Sequence, residues 1–309
     1  MEVKTVAIVG AGTIGASWAA WFRARGFAVV VTDPSAEAEG FVRDYVASAW
    51  PVLQSLGAVR PGATPEGIRF EPELRAALDG ADFVQENAPE REEMKIRIFA
   101  EMDALLREEV IIASSSSGLL MSRLQSRCTH PERCVIGHPF NPPHLIPLVE
   151  VVGGDRTAPA ALDRAMAFYR SIGKHPIRLN KEVPGHVANR LQAALWREAI
   201  HLVAEGVASV ADVDAAVTQG PGLRWAVFGP HMTFHLGGGR GGMEHFLAHL
   251  LGPFEGFWAD LGQPAMTPAL QRRIVEGVEE QAEGRPVAEL AESRDRRLTA
   301  ILQALAAAR

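Results

Sequence analysis

Residues 5–33 read TVAIVGAGTIGASWAAWFRARGFAVVVTD, and this stretch decides the fold. The uncharged run Thr5–Val9 predicts a fully buried strand, and the apolar run Ala28–Thr32 predicts a second one. Between them, Ile14–Ala24 has the composition of a helix, and Gly26 stands where a helix C-terminus favours glycine. The order strand, turn, helix, strand is the opening unit of a doubly wound α/β sheet.

The turn between the first strand and the helix has the pattern GxGxxG, with Gly10, Gly12 and Gly15. The first glycine permits a tight turn, the second lets a pyrophosphate approach the backbone, and the third lets the helix pack closely on the strand. The N–H groups at the start of the helix, at Thr13 and Ile14, are then available to the phosphates. Asp33, at the end of the second strand, accepts hydrogen bonds from a ribose and repels a 2′-phosphate. We therefore predict an NAD site, the alternative being a glycine-rich turn that binds no nucleotide.

The rest of the chain alternates strands and helices up to about residue 181 and is almost purely helical afterwards. Strands are predicted at Phe83–Gln85, Val110–Ala113, Cys134–Ile136 and Leu148–Val152, and helices at Glu92–Leu106, Ala160–Ile172 and Val187–Ala204. Continuous apolar strands separated by helices predict a parallel sheet covered on both faces. We predict an α/β protein: an N-terminal Rossmann domain with a doubly wound sheet over residues 1–183, and an all-helical domain for substrate binding and dimerisation over residues 184–309.

Composition excludes several classes of function. The 309 residues carry a net charge of −6 without a basic block, which argues against a nucleic-acid partner. The two cysteines, Cys128 and Cys134, form neither a disulfide framework nor a zinc motif, so a cytoplasmic location and no metal are expected. The uncharged run at residues 6–22 is interrupted by three glycines and fits a buried strand and helix better than a signal peptide or a membrane segment.

The segment at residues 135–144 is unusual for a core strand, because it places two histidines and an asparagine among prolines directly beyond the predicted buried strand Cys134–Ile136. Ligands of open α/β sheets bind at the carboxyl ends of strands. Glu150 lies in an apolar run, where a lone carboxylate needs a partner, and His138 is a suitable one. Ser114–Ser117 offer hydroxyls nearby. The spacing alone fits a catalytic pair and a structural His–Glu pair equally well.

Five motifs together resemble the 3-hydroxyacyl-CoA dehydrogenase family over nearly the whole chain: GAGTIG (10–15), QENAPE (85–90), ASSSSGL (113–119), GHPFNPPHLIPLVEVV (137–152) and KEVPGHVANRL (181–191). The resemblance implies that His138 is the catalytic base and Glu150 its partner. It also implies that Ser117 contacts the substrate hydroxyl and that Asn189 completes the site. Further cofactor contacts implied by the family are Glu90, Lys95, Ser115 and Asn141, and the helical domain of the family builds a homodimer.

Three longer stretches are similar to the branch of the family that oxidises small free L-3-hydroxy acids: residues 131–158, 181–203 and 220–239. This similarity implies L-carnitine as the substrate and 3-dehydrocarnitine as the product. L-Gulonate or a 3-hydroxyacyl-CoA thioester are alternative substrates, and a crystallin-like structural NAD-binding protein is the non-enzymatic alternative. The sequence departs from the family at His186, where phenylalanine is usual, at His231, and at Ser115-Ser116, where Asn-Thr is usual.

Aromatic residues of the second domain are candidates for binding a quaternary ammonium, because aromatic faces attract such cations without hydrogen bonds. The candidates are Trp196, Trp225, Phe228 and Phe234. Aromatic residues at helical spacing more often pack in a core or an interface, so core packing is the alternative for each of them.

Overall fold

One eight-stranded sheet organises the N-terminal part of the chain. The computed structural model describes residues 2–308, which divide into two units, one ending at Asn189 and the other beginning at Arg190. The strands are β1 (Thr5–Val9), β2 (Ala28–Thr32), β3 (Ile68–Phe70), β4 (Phe83–Glu86), β5 (Ile111–Ser114), β6 (Cys134–Pro139), β7 (Leu148–Gly153) and β8 (His175–Arg178). Their order in the sheet is β3-β2-β1-β4-β5-β6-β7-β8, so the chain reverses direction across the sheet beside β1, as a doubly wound fold requires.

Helices cover both faces of this sheet, as the apolar strands predict. They are α1 (Thr13–Ala24), α2 (Ala38–Ser55), α3 (Leu74–Leu78), α4 (Glu92–Leu105), α5 (Met121–Leu124) and α6 (Pro159–Ser171), with 3-10 turns at Gln125–Arg127 and Pro131–Arg133. Side chains of β1 alternate between the two faces: Val6 and Ile8 join the core under α1, α2 and α6, whereas Ala7 and Val9 join the core with α4 and α5. The N-terminal Rossmann prediction is confirmed.

The sheet differs from the expected all-parallel one at its far edge. β6 and β7 pair in antiparallel fashion, and β8 is parallel to β7. The physical reason is the short connection at residues 140–147, because a parallel crossover needs about a dozen residues or more. Buried polar groups hold this loop: Lys174 Nζ donates to the Pro143 and Ile146 carbonyls, and the His144 N–H donates to Ser17 Oγ at 2.9 Å.

The second unit is helical, as predicted, in the part of the chain that the structure describes. Helix α7 (Ala188–Ala204) begins with the last two residues of the first unit and continues into the second. The other helices of the second unit are α8 (Val210–Gln219), α9 (Pro221–Trp225), α10 (Pro230–Gly237), α11 (Gly242–Asp260), α12 (Pro268–Ala282) and α13 (Val287–Ala307). The glycine-rich stretch at residues 237–242 contains a 3-10 turn at Gly239–Gly241, which links α10 to α11. Ser209 and Thr267 cap α8 and α12 with their hydroxyl oxygens, which satisfies helical N–H groups at each start.

None of the helices within residues 2–308 combines the length and the apolar character needed to span a bilayer. No group of three or more histidine, cysteine or acidic side chains in that range is arranged to hold a metal ion.

Candidate active site

The turn after β1 contains three glycines, and the surroundings of each give a different physical reason for glycine at that position. Gly10 has φ +97°, and a Cβ there would lie 2.7 Å from the backbone of Asn87. A Cβ on Gly15 would lie 2.0 Å from the carbonyl oxygen of Gly10, so only glycine lets α1 pack against the turn. Around Gly12, by contrast, a Cβ would meet no described atom within 4 Å. Glycine at position 12 therefore keeps open space in front of the helix rather than filling a tight protein contact.

The start of α1 is suited to bind a pyrophosphate. Gly12 occupies the N-cap position without a side-chain cap, and the first turn contains no acidic residue. The N–H groups of this turn, at Thr13, Ile14 and Gly15, are therefore available to an anion. Asp33 ends the neighbouring strand, and its carboxylate accepts hydrogen bonds from the N–H groups of Ala11 at 2.8 Å and Ser35 at 2.9 Å. Each carboxylate oxygen has a second lone pair, which a ribose hydroxyl can use. These residues fit NAD.

The His138–Glu150 pair is formed across the antiparallel strands β6 and β7. The two residues are direct partners in the strand register, so their side chains lie on the same face of the sheet. His138 Nδ1 lies 2.9 Å from Glu150 Oε2, and both side chains are buried. The other carboxylate oxygen accepts from the N–H groups of Val187 and Ala188 at 2.9 and 3.0 Å.

The Glu150 carboxylate is ionised in this environment. Burial by itself raises the pKa of the carboxyl, but the hydrogen bonds from His138, Ala188 and Val187 outweigh burial, and the pKa lies below its usual range. A carboxylate can only accept, so the proton of a neutral His138 ring resides on Nδ1. Its Nε2 then carries a lone pair that can accept a proton. This arrangement suits a general base.

The serine turn after β5 is organised by Glu90. Its Oε1 accepts from Ser116 Oγ at 2.6 Å and from the N–H groups of Ser117 and Gly118, both at 3.0 Å. Burial raises the pKa of the Glu90 carboxyl, but the hydrogen bond from Ser116 and the nearby Lys95 ammonium outweigh it, so the pKa is lowered. Glu90 was a predicted cofactor contact, and the structure shows that it holds this turn.

Asn189 lies next to the same turn, because its Nδ2 donates to the carbonyl of Ser117 at 3.2 Å. The structure thus places Asn189 at the main chain of Ser117, while the Ser117 residue itself is exposed. The two predicted catalytic groups Ser117 and Asn189 are neighbours, and the His138–Glu150 pair is a second cluster in the same unit.

Three of the predicted cofactor contacts differ in their surroundings. Lys95 is buried, and its ammonium contacts both Glu86 oxygens at 2.7 and 3.0 Å. The Ser115 hydroxyl donates to Asn87 Oδ1 at 2.7 Å and accepts from Gln85 Nε2 at 2.8 Å. Asn141 is exposed beyond β6. Contacts of these three side chains with NAD stay predictions.

Two buried groups near these residues were not among the predicted site residues. Glu86 is fully buried and accepts from Ser114 Oγ at 2.5 Å as well as from Lys95. His186 is also buried, with its ring centroid 5.2 Å from that of His138. Glu86 lies inside the QENAPE motif, where a single acid ending an apolar strand is a signal for a buried partner. The sequence around His186 gives a weaker indication of burial, because His186 follows Gly185 in a segment without a predicted strand.

The four aromatic candidates all lie in the second unit. Phe234 packs against Phe246 and Phe254, with centroid distances of 4.9 and 5.1 Å, as in a small aromatic core. The other three, Trp196, Trp225 and Phe228, have exposed side chains. A role in binding substrate stays a prediction for all four.

Comparison with protein families matches both parts of the chain. Residues 5–183 match the NAD-binding domain of 3-hydroxyacyl-CoA dehydrogenase, and residues 185–289 match the C-terminal domain of the same enzyme. The chain belongs to the 3-hydroxyacyl-CoA dehydrogenase family. The resemblance drawn from the five sequence motifs is thereby confirmed. Membership in this family agrees with the glycine turn, the uncapped N-terminus of α1 and the position of Asp33. Because residues 5–183 match an NAD-binding domain, the cofactor is NAD.

Individual relatives span nearly the whole chain. An L-carnitine dehydrogenase of Nocardiopsis dassonvillei is 52% identical over 303 residues, covering 98% of this chain and 92% of that protein. An L-carnitine dehydrogenase of Streptomyces griseus is 49% identical over 303 residues, covering 98% of this chain and 90% of that protein. Among solved structures, 5-formyl-3-hydroxy-2-methylpyridine 4-carboxylic acid 5-dehydrogenase, an NAD+-dependent dismutase, has a TM-score of 0.85 and 32% identity, covering 98% of this chain and 99% of that one. The chain itself, as a member of the 3-hydroxyacyl-CoA dehydrogenase family, is an NAD-dependent oxidoreductase.

Proposed function

We propose that this protein oxidises the 3-hydroxyl of a small free L-3-hydroxy acid, L-carnitine to 3-dehydrocarnitine, with His138 as the catalytic base. The observation that carries the chemistry is the buried His138–Glu150 pair at 2.9 Å. The pair belongs to the same unit as the glycine turn and Asp33, which fit NAD.

His138 removes the proton of the substrate hydroxyl through Nε2, because its Nδ1 proton is held by Glu150. The ring becomes an imidazolium, and the ionised Glu150 carboxylate stabilises that charge in a buried environment where Coulomb interactions are strong. Bound NAD would supply the acceptor for the hydride from the carbon bearing the hydroxyl. The substrate loses one proton and one hydride and becomes a ketone.

Ser117 and Asn189 hold the reacting oxygen while its charge changes. The Ser117 hydroxyl lies on a turn that Glu90 holds by accepting hydrogen bonds from two N–H groups and from the Ser116 hydroxyl, so the main chain that carries it is fixed before substrate binds. Fixed donors of this kind stabilise a developing negative charge without reorganisation. Asn189 is anchored to the same turn through the Ser117 carbonyl.

The choice of L-carnitine rests on the relatives, two of which are L-carnitine dehydrogenases at 52% and 49% identity. L-Carnitine has a trimethylammonium group, which offers no hydrogen-bond donor and is bound through aromatic faces. Trp196, Trp225 and Phe228 present exposed aromatic surface in the second unit, and we propose that they contribute to the recognition of this group.

We further propose a cytoplasmic homodimer in which residues 1–183 bind NAD and residues 184–309 bind substrate and form the dimer. Many large apolar side chains of the second unit are exposed in the single chain, which favours a covering partner. Examples are Leu191, Leu223, Met232, Leu236, Phe257 and Trp258. Light scattering of the purified protein gives the mass, and a monomer would contradict the dimer.

The function is tested by NAD reduction with four substrates: L-carnitine, L-gulonate, L-3-hydroxybutyrate and 3-hydroxybutyryl-CoA. We expect the highest kcat/KM with L-carnitine, and we expect His138→Gln to abolish turnover while its affinity for NAD is unchanged. Higher kcat/KM with another member of the panel would contradict the carnitine assignment and leave the His138 mechanism in place. Full turnover by His138→Gln would contradict the mechanism itself.

A further inference from the structure

His186 is held in an unusual position by the fold. Its backbone has φ +51°, in the left-handed region that residues other than glycine occupy uncommonly. The side chain is 1% exposed, and the ring lies tilted by 47° next to that of His138. A strained backbone and a buried polar ring are both costly, and such features concentrate at functional sites.

The hydrogen bonding of His186 defines its tautomer. Nε2 lies 3.0 Å from the carbonyl oxygen of Ser116, and a carbonyl can only accept. Nε2 must therefore carry a proton and donate it to Ser116. Among the residues that the structure describes, Nδ1 of His186 has no hydrogen-bond partner although it is buried.

The surroundings of His186 keep its ring uncharged. Burial lowers its pKa, the nearby His138 lowers it further, and the bond to Ser116 and the carboxylates of Glu150 and Glu90 oppose this change without overcoming it. A neutral ring is compatible with a neighbour that must take up a proton, because two imidazolium ions at this separation would repel each other.

We propose that His186 is a positioning residue, which acts by donating its Nε2 proton to the Ser116 carbonyl and thereby fixes the serine turn that carries Ser117. The turn then has two anchors of opposite kind: Glu90 accepts from its N–H groups, and His186 donates to its carbonyl. Asn189 holds the next carbonyl along the chain, that of Ser117. The kinetic part of this inference rests on the proposed function, whereas its structural part does not.

Three substitutions separate the donor from the rest of the ring. His186→Gln places an amide N–H at the ε position and can restore the bond to Ser116. His186→Asn has its polar atoms at the δ position, too short to replace Nε2, but asparagine suits the left-handed backbone better than glutamine does. His186→Phe keeps a ring of similar size and has no donor. Rescue by glutamine and not by asparagine therefore cannot come from backbone preference.

Two measurements need no substrate. Nitrogen-15 shifts of the wild-type protein should show His186 as a neutral ring protonated at Nε2 and unprotonated at Nδ1. Amide hydrogen exchange at Ser117 and Gly118 should accelerate about tenfold in His186→Phe and His186→Asn, the effect of losing one hydrogen bond, and stay near the wild-type rate in His186→Gln. Exchange in β1 serves as the control for overall folding.

Kinetics complete the test with whichever panel substrate the wild type oxidises. We expect kcat/KM to fall about tenfold in His186→Phe and His186→Asn and to recover in His186→Gln, with the Kd for NAD unchanged within about twofold in all three. A proton on Nδ1, equal effects of glutamine and phenylalanine, or better rescue by asparagine would each overturn the proposal. If the wild type oxidises no substrate of the panel, the proposed function fails, and the nitrogen shifts and amide exchange still decide the role of His186.

Discussion

Replacing Glu150 by glutamine should move the ring proton of His138, the proposed base, from Nδ1 to Nε2. In the native pair, Oε1 accepts from the N–H groups of Val187 and Ala188, and Oε2 accepts from His138. A glutamine amide has one acceptor and one donor group. Its carbonyl oxygen must remain on the two backbone N–H groups, so its NH2 group faces His138 Nδ1. Nδ1 must then accept, the proton moves to Nε2, and the base has no lone pair for the substrate.

The size of the effect follows from the geometry. At the observed 2.9 Å, a unit charge pair with an effective dielectric constant of about 20 interacts by about 6 kcal/mol, and this is an upper value for the stabilisation of the imidazolium. A factor of ten in rate corresponds to about 1.4 kcal/mol, so loss of the charge and the tautomer together should lower kcat by about 10³- to 10⁴-fold. The KM for NAD should change little, because Glu150 contacts neither the glycine turn nor Asp33.

The assay is the appearance of NADH with the preferred substrate, together with a fluorescence titration of NAD. Glu109→Gln is the matched control, because it makes the same chemical change at an exposed side chain that pairs with Arg107 at 3.3 Å, before β5. We expect this control to retain wild-type kcat. A Glu150→Gln variant that keeps kcat within about tenfold of Glu109→Gln, or that loses NAD binding in proportion to turnover, would contradict this role of Glu150.

Three further predictions concern the cofactor turn and acid stability. Gly12→Ala should weaken NAD binding and leave the Tm unchanged, because a Cβ at position 12 meets no protein atom within 4 Å. Gly15→Ala should lower the Tm, because a Cβ at position 15 would lie 2.0 Å from the Gly10 carbonyl oxygen. Thermal unfolding measures the Tm of each variant, and titration with NAD measures its affinity. Asp33→Asn should raise kcat/KM with NADP relative to NAD, since the charge that repels a 2′-phosphate is removed, and a comparison of both cofactors checks this. Asp103→Asn should destabilise the fold by roughly 3–5 kcal/mol at neutral pH, because it leaves the buried Arg133 without its charge partner, and urea unfolding measures the loss.

The last of these predictions has a defined pH window. Burial raises the pKa of Asp103, but the hydrogen bonds from Arg133 and the N–H groups of His130 and Thr129 outweigh burial and lower it. A carboxyl with a lowered folded-state pKa stabilises above its unfolded value of about 3.9 and loses that contribution as the pH falls through the folded value. The difference in unfolding free energy between wild type and Asp103→Asn should thus shrink below about pH 4. A difference that does not change with pH would contradict the lowered pKa of Asp103 as its cause. For the glycine turn, an unchanged NAD affinity in Gly12→Ala would contradict the inference that the open space at Gly12 receives the pyrophosphate.

Much of the sheet was predictable because its signals are local. β1 and β2 were predicted with the bounds that the structure has, since a glycine turn and two uncharged runs lie close together in sequence. β3 has only three residues, and β8 contains a proline, so neither has an apolar run that periodicity can detect. Pro51 lies inside α2 and obscures a helix of 18 residues, since proline ordinarily ends a helix.

The His138–Glu150 contact was predictable because a charged residue stood in an apolar stretch of sequence. Glu150 stood alone in an apolar run, and that demand for a partner pointed correctly to His138. The contacts of Glu90 and His186 with the serine turn join residues that are 26 to 70 positions apart, and no local pattern records such a distance. Both contacts depend on how strands and loops meet in three dimensions, which propensity and spacing do not describe.

The proposed catalytic role of the His138–Glu150 pair would make turnover depend on the alignment of β6 and β7. Successive residues of a strand point to opposite faces, so sliding β7 by a single position against β6 would turn the carboxylate away from the imidazole. The nucleotide turn lies on β1, on the other side of β4 and β5, and would be untouched by such a slip. With His138 as the proposed base, a chain misaligned at this edge would bind dinucleotide and remain inactive. Active-site titration, rather than cofactor binding, would then count the correctly assembled molecules in a refolded sample.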